Sequence, residues 1–477
     1  MTEVSIKITD YIRNLYGDES AIRYASLMEG LPDVTIRVNR LKAEKSQLEN
    51  SLKNYNITLQ QIEEIPFALK VTSGKETISK TIEHILGMFY IQSLSSMLPP
   101  LVLNPLPGES VLDLCAAPGS KTTLIAELMN NTGTIAANEA IPDRVKSLTY
   151  NLDKQSIINS GVINLRGETL SRYFLNHFDK VLVDAPCSGL GIIQKKSEIN
   201  NWWSEDHVRR LSELQYKLLV AAIKSARVGG EIVYSTCTLT VEENEMIIDK
   251  VLKKFPVEVC QISLPFHTDP GFSGYGNLSF DQSVKRSLRL LPWEINSEGF
   301  YIVKLMKTEP TPPTDKQQPK QDEIRLLSLF HRSIKDKILK LADWFGISSD
   351  VLAKFKFIIN GKNIYFVNSD WQMFNSGIFH RIGSRFGLID KKGEIVLHTH
   401  AAQVLGRFIT KNIYTLDGIE EFKSYIEGAS IKKQTGLRGQ CLISYKGYLL
   451  GTASAGSEGI KSRFPRAKRT QSIIKEF

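Results

Sequence analysis

The sequence predicts an α/β protein with a parallel central sheet, a small N-terminal α/β appendage and a C-terminal α+β unit. Three observations lead there. Between residues 108 and 305 short β-rich runs alternate with helical stretches, the pattern of βαβ units. The strand interiors VLDL, VLVD and EIVYS are largely apolar, which suits strands covered on both faces. Lys307–Gln321 (KTEPTPPTDKQQPKQ) is rich in Pro, Thr, Lys and Gln, has little to bury, and reads as a linker.

Taken in order, the first central strand is SVLDLC (110–115), beginning after the turn at Pro107-Gly108. A helix is expected from about Lys121 to Met129. TIAANE (134–139) is the second strand, VINL (162–165) a weak third and KVLVDAP (180–186) the fourth. A long helix is expected over roughly Glu205 to Ala226, with Leu211, Leu214, Leu218 and Leu219 along one face. EIVYST (231–236), entered through Gly229-Gly230, is the fifth strand, and a helix from Glu242 to Phe255 follows. Upstream lie a helix near the start and a mixed stretch around Thr35 to Val71. Downstream, a helix from Ile334 to Phe345 accompanies short strands in NIYFVN, EIVLHTH and GQCLISYKGYLLG. The expected organisation is an appendage at 1–100, a central domain at 101–307, a linker at 308–321 and a C-terminal domain at 322–477.

Composition narrows the function classes. The chain has 477 residues, 42% hydrophobic and 23% charged, as ordinary soluble proteins do. No apolar run reaches the roughly 18 residues a membrane span needs. The opening MTEVSIKITDYIRN lacks the basic and apolar segments of a signal peptide, so a cytoplasmic protein is expected. The five cysteines, Cys115, Cys187, Cys237, Cys260 and Cys441, form no CxxC pair, and no His cluster has ligand spacing. Neither a disulfide framework nor a metal site is expected. Net charge is +9, unevenly spread: from Glu323 onward 25 Lys and Arg face 13 Asp and Glu. That excess of +12 belongs to a part that would hold a polyanion.

The strongest local chemistry lies in LDLCAAPGSKTT (112–123). A strand ends, a loop of small residues follows, and a helix starts with free N–H groups at the carboxyl edge of the sheet. Ala116, Ala117, Gly119 and Ser120 let a ligand approach the backbone closely. The pattern GxxxxGK[ST] fails, because Leu114 stands five before Gly119, and GxGxxG is absent. Glu139 ends the second strand, where a carboxylate can accept hydrogen bonds from both ribose hydroxyls of a nucleoside. A glycine-poor loop that binds no phosphate suits S-adenosyl-L-methionine better than a dinucleotide.

Two cysteines then fall at the ends of neighbouring strands: Cys187 in Asp-Ala-Pro-Cys-Ser-Gly (184–189) and Cys237 in Tyr-Ser-Thr-Cys-Thr (234–238). Such a pair suits C5 methylation of cytosine, whose C5 is a poor nucleophile until a thiolate adds at C6. A base must then remove the C5 proton so that the thiolate can leave. This needs one activated thiol and one group that assists release. Asp184 beside the base can stabilise charge at its N3/N4 edge.

From about Arg37 through Lys307 the chain resembles the RNA cytosine-C5 methyltransferases of the NOL1/NOP2/Sun family. The resemblance is carried by Arg37-Val38-Asn39, GMFYIQSLSSMLP (87–99), DLCAAPGSKTT, ANE with Arg144 five residues on, DAPCSGLG, Gln215, GGEIVYSTCT and EENE (242–245). It implies a Rossmann-like S-adenosylmethionine-dependent domain with Cys237 as nucleophile, Cys187 assisting release and Asp184 between cofactor and base. Cys115, Ala116, Ala117, Pro118, Gly119, Ser120, Lys121 and Glu139 would hold the cofactor, with Asp184 beside them. DNA enzymes use the Pro-Cys cysteine and lack the second, so the pair points to RNA. One departure stands out: where the family places an adenosine-side Asp, this chain has Arg166, with Glu168 two residues on.

The wording most resembles the bacterial small-subunit rRNA type, which carries a C-terminal PUA-like domain. Lys461, Arg463, Arg466, Lys468 and Arg469, with Phe464 interleaved for stacking, are the expected RNA contacts. The resemblance therefore implies action on rRNA of the 16S type, and a monomer is expected. The same chemistry on tRNA is one alternative, and a catalytically vestigial ribosome-assembly factor is another.

Overall fold

The structure, a computed structural model, describes residues 4–30, 33–295, 297–312, 323–373, 376–469 and 472–474. The expected linker lies outside the described residues from residue 313 onward.

The chain opens with α1 (Ile6–Ser26), interrupted at Gly17, where φ is 85°. Its Ile8, Ile12, Ala21 and Tyr24 pack on Leu190, Ile193, Ile199, Trp203 and Leu239 of the central body. An antiparallel sheet follows, built from β1 (Thr35–Val38), β2 (Thr58–Gln61), β3 (Ala68–Ser73) and β4 (Phe89–Ile91) in the order β2-β3-β1-β4. Ile36 and Val38 of β1 join Leu52, Val71 and Phe89 in a local core. Side chains alternate along a strand, so Arg37 between them leaves on the other face.

That arginine ties the sheet to the central body. Its Nη1 donates to Gln92 Oε1 and to the Ser120 carbonyl, both at 2.8 Å. Its Nη2 donates to Thr123 Oγ1 at 2.8 Å and pairs with Glu127 at 2.9 Å, and both charged side chains are 0% exposed. Removing one partner would strand a buried charge, so Arg37→Met is expected to destabilise the protein by about 3 kcal/mol. Urea unfolding checks this; an unchanged midpoint would show that the pair is not what joins the sheet to the body.

α2 (Leu94–Leu103) crosses onto the central sheet. There β5 (Ser110–Asp113), β6 (Thr134–Asn138), β7 (Ser160–Ile163), β8 (Phe178–Asp184) and β9 (Ala226–Thr236) run parallel in the order β7-β6-β5-β8-β9. They are joined through α3 (Ser120–Leu128), α4 (Pro142–Lys154) and α5 (Glu205–Ser225), and α6 (Glu245–Leu252) follows β9. Successive residues of β8 serve opposite cores: Val181 and Val183 one, Leu182 the other. The strand order reverses between β5 and β8, which opens a crevice at their carboxyl ends.

Antiparallel strands flank this parallel set. β10 (Phe300–Lys307) pairs with β9, and Leu288–Leu290 and Asp269–Pro270 extend the sheet beyond it. At the opposite edge β11 (Phe379–Ile382), from the C-terminal part, pairs with β7 and covers it. Arg381 of β11 grips Asp153 of α4 with two bonds of 2.8 and 3.0 Å. The remaining C-terminal strands form two five-stranded sheets, one spanning Leu327 to Leu397 and the other Ile413 to Ser462.

Three elements differ from expectation. Gly229-Gly230 lies inside β9: Phe178 pairs with Ala226 and Lys180 with Glu231, so the intervening residues bulge, and Gly229 has φ 73°. In EIVLHTH only Ile395–Leu397 is strand, because His398 caps a helix, Thr399–Leu405. The helix expected from Glu242 starts at Glu245, since the residues before it bind the loops described below. Among the described residues no helix is long and apolar enough to cross a membrane.

Candidate active site

β5 hands the chain to α3 through the loop 114–119. The Ala116 amide donates to the Asn138 carbonyl at 2.7 Å, and Asn138 Nδ2 donates to the Leu114 carbonyl at 3.1 Å. Arg144 donates to the Ala117 carbonyl at 2.6 Å, and Asn151 to that of Pro118 at 2.8 Å. Gly119 has φ 106°, and a Cβ there would stand 3.2 Å from Leu148 Cδ1, so position 119 demands glycine. Beneath the loop, Asp113 accepts the Thr122 hydroxyl at 2.6 Å on one oxygen, while the other has no side-chain hydrogen-bond partner among the described residues. Burial pushes its carboxyl up to about 7.

Glu139, at the end of β6, is 4% exposed. One oxygen accepts the Ile141 amide at 2.9 Å and the other lies 3.3 Å from Arg144. Each keeps a lone pair for a ribose hydroxyl. The loop from Cys115 to Lys121, the α3 N-terminus and Glu139 therefore fit a nucleoside cofactor. Arg166 is not among them: its side chain is 78% exposed, whereas the Glu168 carboxylate paired with it is 16% exposed.

The two cysteines come together as expected. Cys187 follows β8, Cys237 follows β9, and their sulfurs stand 3.1 Å apart. The hydrogen bond from Cys237, followed by burial, raises the Cys187 pKa well above the ordinary thiol value. Cys187 is thus held as a thiol, and either sulfur can be the donor in the contact between them. Asp184 accepts Lys121 Nζ at 2.6 Å and Ser235 Oγ at 2.8 Å. Lys121, 7% exposed, also donates to Ser96 Oγ at 3.0 Å. Burial opposes its charge, but Asp184 more than offsets this and the pKa rises, so a fixed cation acts on Cys237.

Sequence reasoning assigned no role to the layer beneath. Glu243 accepts the Ser188 amide at 2.9 Å, the Ser188 hydroxyl, Thr240 Oγ1 at 2.7 Å and Gln215 Nε2 at 2.8 Å. Gln215 donates also to the Pro186 carbonyl at 2.8 Å. Next to Glu243, Asn244 accepts the Thr236 hydroxyl at 2.7 Å and donates to the Thr238 carbonyl at 3.1 Å, gripping the chain on both sides of Cys237. Ser188 Oγ and Thr238 Oγ1, 2.9 Å apart, join the two loops. Adjacent residues thus fix both cysteines. The visible signal was EENE (242–245), three residues beyond Thr-Cys-Thr (236–238), but acidic residues at the start of a helix read first as exposed N-terminal residues. Glu243→Gln replaces an acceptor oxygen with a donor, and a displacement of the Cys187 loop by about 1 Å can cost about a hundredfold in rate. A fall of that order in kcat at unchanged KM is expected; an unaltered kcat would remove Glu243 from the positioning layer.

The C-terminal basic residues divide. Lys461, Arg463 and Arg466 are exposed. Arg469 is turned back to donate to the Phe464 carbonyl at 2.8 Å. Lys468 is 1% exposed, so it is not the surface contact expected of it. Phe464 is likewise 1% exposed and packs edge-on against Tyr425, so it cannot stack on a base.

A strand-order reversal, a nucleoside loop without a phosphate cradle and paired thiols beside Asp184 define a Rossmann-type methyltransferase site. Comparison with known proteins agrees. Residues 100–306 match the family model 16S rRNA methyltransferase RsmB/F. The chain is 30% identical over 449 residues to ribosomal RNA small subunit methyltransferase F of Shewanella sp., covering 91% of this chain and 90% of that protein. It is 37% identical over 277 residues to the tRNA (cytosine(49)-C(5))-methyltransferase of Pyrococcus abyssi, covering 57% and 88%. It is 36% identical over 313 residues to the 25S rRNA (cytosine-C(5))-methyltransferase nop2 of Schizosaccharomyces pombe, covering 64% of this chain but spanning only 51% of that protein. A methyltransferase homolog protein of Pyrococcus horikoshii superposes with a TM-score of 0.56 at 32% identity, over 62% of this chain and 93% of that one. The chain belongs to the RsmB/F methyltransferase family.

Proposed function

We propose that the protein is an S-adenosylmethionine-dependent RNA cytosine-C5 methyltransferase acting on small-subunit rRNA through a covalent Cys237–cytosine intermediate. The observation that carries this reading is the 3.1 Å contact between Cys187 and Cys237, set beside the Asp184–Lys121 pair. S-adenosylmethionine supplies the electrophilic methyl group. Cys237 adds to cytosine C6, which makes C5 nucleophilic. Asp184 and Lys121 act on the charge that develops on the ring. Cys187 assists the release step, in which a base takes the C5 proton, the C5–H electron pair re-forms the ring double bond and the C6–S bond breaks to free Cys237 as thiolate. Cys115 to Lys121 and Glu139 hold the cofactor, and Glu168 is the inward carboxylate available in place of the family's adenosine-side Asp.

Residues 101–307 are read as the catalytic domain. Residues 1–100 and a PUA-like domain at 322–477 are read as RNA-holding parts. Support for the latter comes from its +12 charge and its two small sheets docked on the catalytic sheet through β11. The Shewanella rRNA enzyme matches along nearly its whole length, which favours rRNA over tRNA. Two adjacent thiols that must stay reduced suit a protein working in the cytoplasm, and it is read as a monomer. With tritiated S-adenosylmethionine, label is expected as 5-methylcytidine in rRNA or ribosomal subunits. Label confined to tRNA would transfer the substrate assignment there. No label in any RNA, with cofactor bound, would replace the reading with that of an assembly factor.

A further inference from the structure

Three lysines from three parts of the chain meet away from the cysteine pocket. Lys42 follows β1, Lys154 ends α4, and Lys468 lies near the C-terminal end of the described chain. Lys42 Nζ donates to the carbonyls of Leu86 and Lys154. Lys154 Nζ donates to His84 Nε2 at 2.9 Å, and His84 Nδ1 donates to the Ser79 carbonyl at 2.8 Å, which fixes this ring as neutral. Lys468 Nζ is buried with no hydrogen-bond partner among the described residues. The charges acting on Lys42 are those of Lys468 and Lys154, both of like sign. The carboxylate that acts on Lys468 is Asp153, already committed to Arg381 and Ser384. Buried cations are stable when an anion neutralises them. Here the protein supplies too little.

Beside this cluster opens a cavity of about 550 Å³, a size that suits a small ligand. Lys80, His84, Tyr90, Tyr150, Asn151 and Lys154 line it. Its walls are fastened to the cofactor loop: Asn151 holds the Pro118 carbonyl at 2.8 Å. The Tyr90 ring lies 5.4 Å from the guanidinium of Arg37, which holds the Ser120 carbonyl at 2.8 Å. Ile474 donates to the Lys80 carbonyl at 3.0 Å, so the chain's tail closes one side.

We propose that this cavity binds one nucleotide of the RNA strand outside the target cytosine. Its phosphate sits against Lys154 and Lys80, and its base lies against Tyr90 and Tyr150. The inference rests on the RNA reading above and deepens it by naming where the strand is gripped. Cations with aromatic rings match the chemistry of single-stranded RNA, since phosphates need positive charge and every base offers a stacking face. Because the site draws on the N-terminal sheet, α4 and the tail, it would also report RNA occupancy to the cofactor loop those elements touch.

The test uses the exposed Lys80, whose loss should not disturb folding, and Tyr150. A fluorescein-labelled rRNA fragment is titrated by anisotropy against wild type, Lys80→Ala and Tyr150→Ala, over a range of salt concentrations. S-adenosylmethionine affinity is measured in parallel. Lys80→Ala is expected to weaken RNA binding about tenfold and to reduce the slope of log affinity against log salt by about one. Tyr150→Ala is expected to weaken binding with the slope retained, and cofactor affinity should hold in both. RNA affinity and slope unchanged in both variants would overturn the inference while leaving the RNA reading in place. RNA binding unmoved but inhibited inorganic-phosphate binding would assign the cavity to a free anion, again overturning it. Failure of the wild type to bind or methylate any RNA would overturn the functional reading itself.

Discussion

Cys237→Ala is expected to reduce methyl transfer by about a thousandfold or more, while RNA and cofactor binding persist. The expectation follows from what surrounds the sulfur. Asn244 and the Thr236 hydroxyl hold the backbone around position 237 without using its side chain. The cofactor loop is tied down by Asn138, Arg144 and Asn151, none of which touches the cysteine. Truncating one half-buried side chain therefore removes the nucleophile and little else. Cys187 cannot substitute without vacating its own role, because its loop is fixed by Glu243 through Ser188. A tritium-transfer assay with parallel binding titrations checks this. Residual activity of about a tenth of wild type would overturn the assignment of Cys237 as nucleophile.

Much of this site was legible in the sequence because strands and loops there obey local rules. A strand that ends in small residues before a helix announces a ligand loop, and Cys115 to Lys121 lie where that rule puts them. Two cysteines at the ends of neighbouring parallel strands must converge, and they do. What stayed hidden depends on long-range burial. Arg37 reads as one more basic residue in RVNRLK until its guanidinium is found sealed against Glu127. Glu243 and Asn244 read as helix-starting polar residues, yet their side chains serve loops that end other strands. In the C-terminal part the basic run gave the right charge and the wrong faces. Charge counting cannot tell that Lys468 points inward while Lys461, seven residues earlier in a strand, stays outside. Period-two and period-3.6 patterns show which face of an element is apolar, but not which partner covers a charged residue.

Cys187→Ala is expected to act in the opposite sense, by trapping the enzyme on its substrate. In the proposed sequence Cys237 adds to C6 before Cys187 is needed, so its loss leaves addition intact and stalls release. A protein–RNA adduct that survives denaturing electrophoresis should accumulate with the Cys187→Ala variant, and turnover should fall below detection. The geometry makes this a chemical effect. Ser188, the next residue, is held by three separate contacts, with the Glu243 carboxylate through its amide and its hydroxyl and with Thr238 through that hydroxyl. The loop therefore keeps its place when the neighbouring thiol is gone. Loss of the Cys187 thiol also removes its contact with Cys237, and the Lys121 cation remains. The double variant Cys187→Ala/Cys237→Ala serves as the control and should form no adduct, since the bonding sulfur is absent. If Cys187→Ala instead turned over near the wild-type rate with no adduct, another group would have to serve the C5 proton. Trapping in both the single and the double variant would place the covalent bond on a residue other than Cys237.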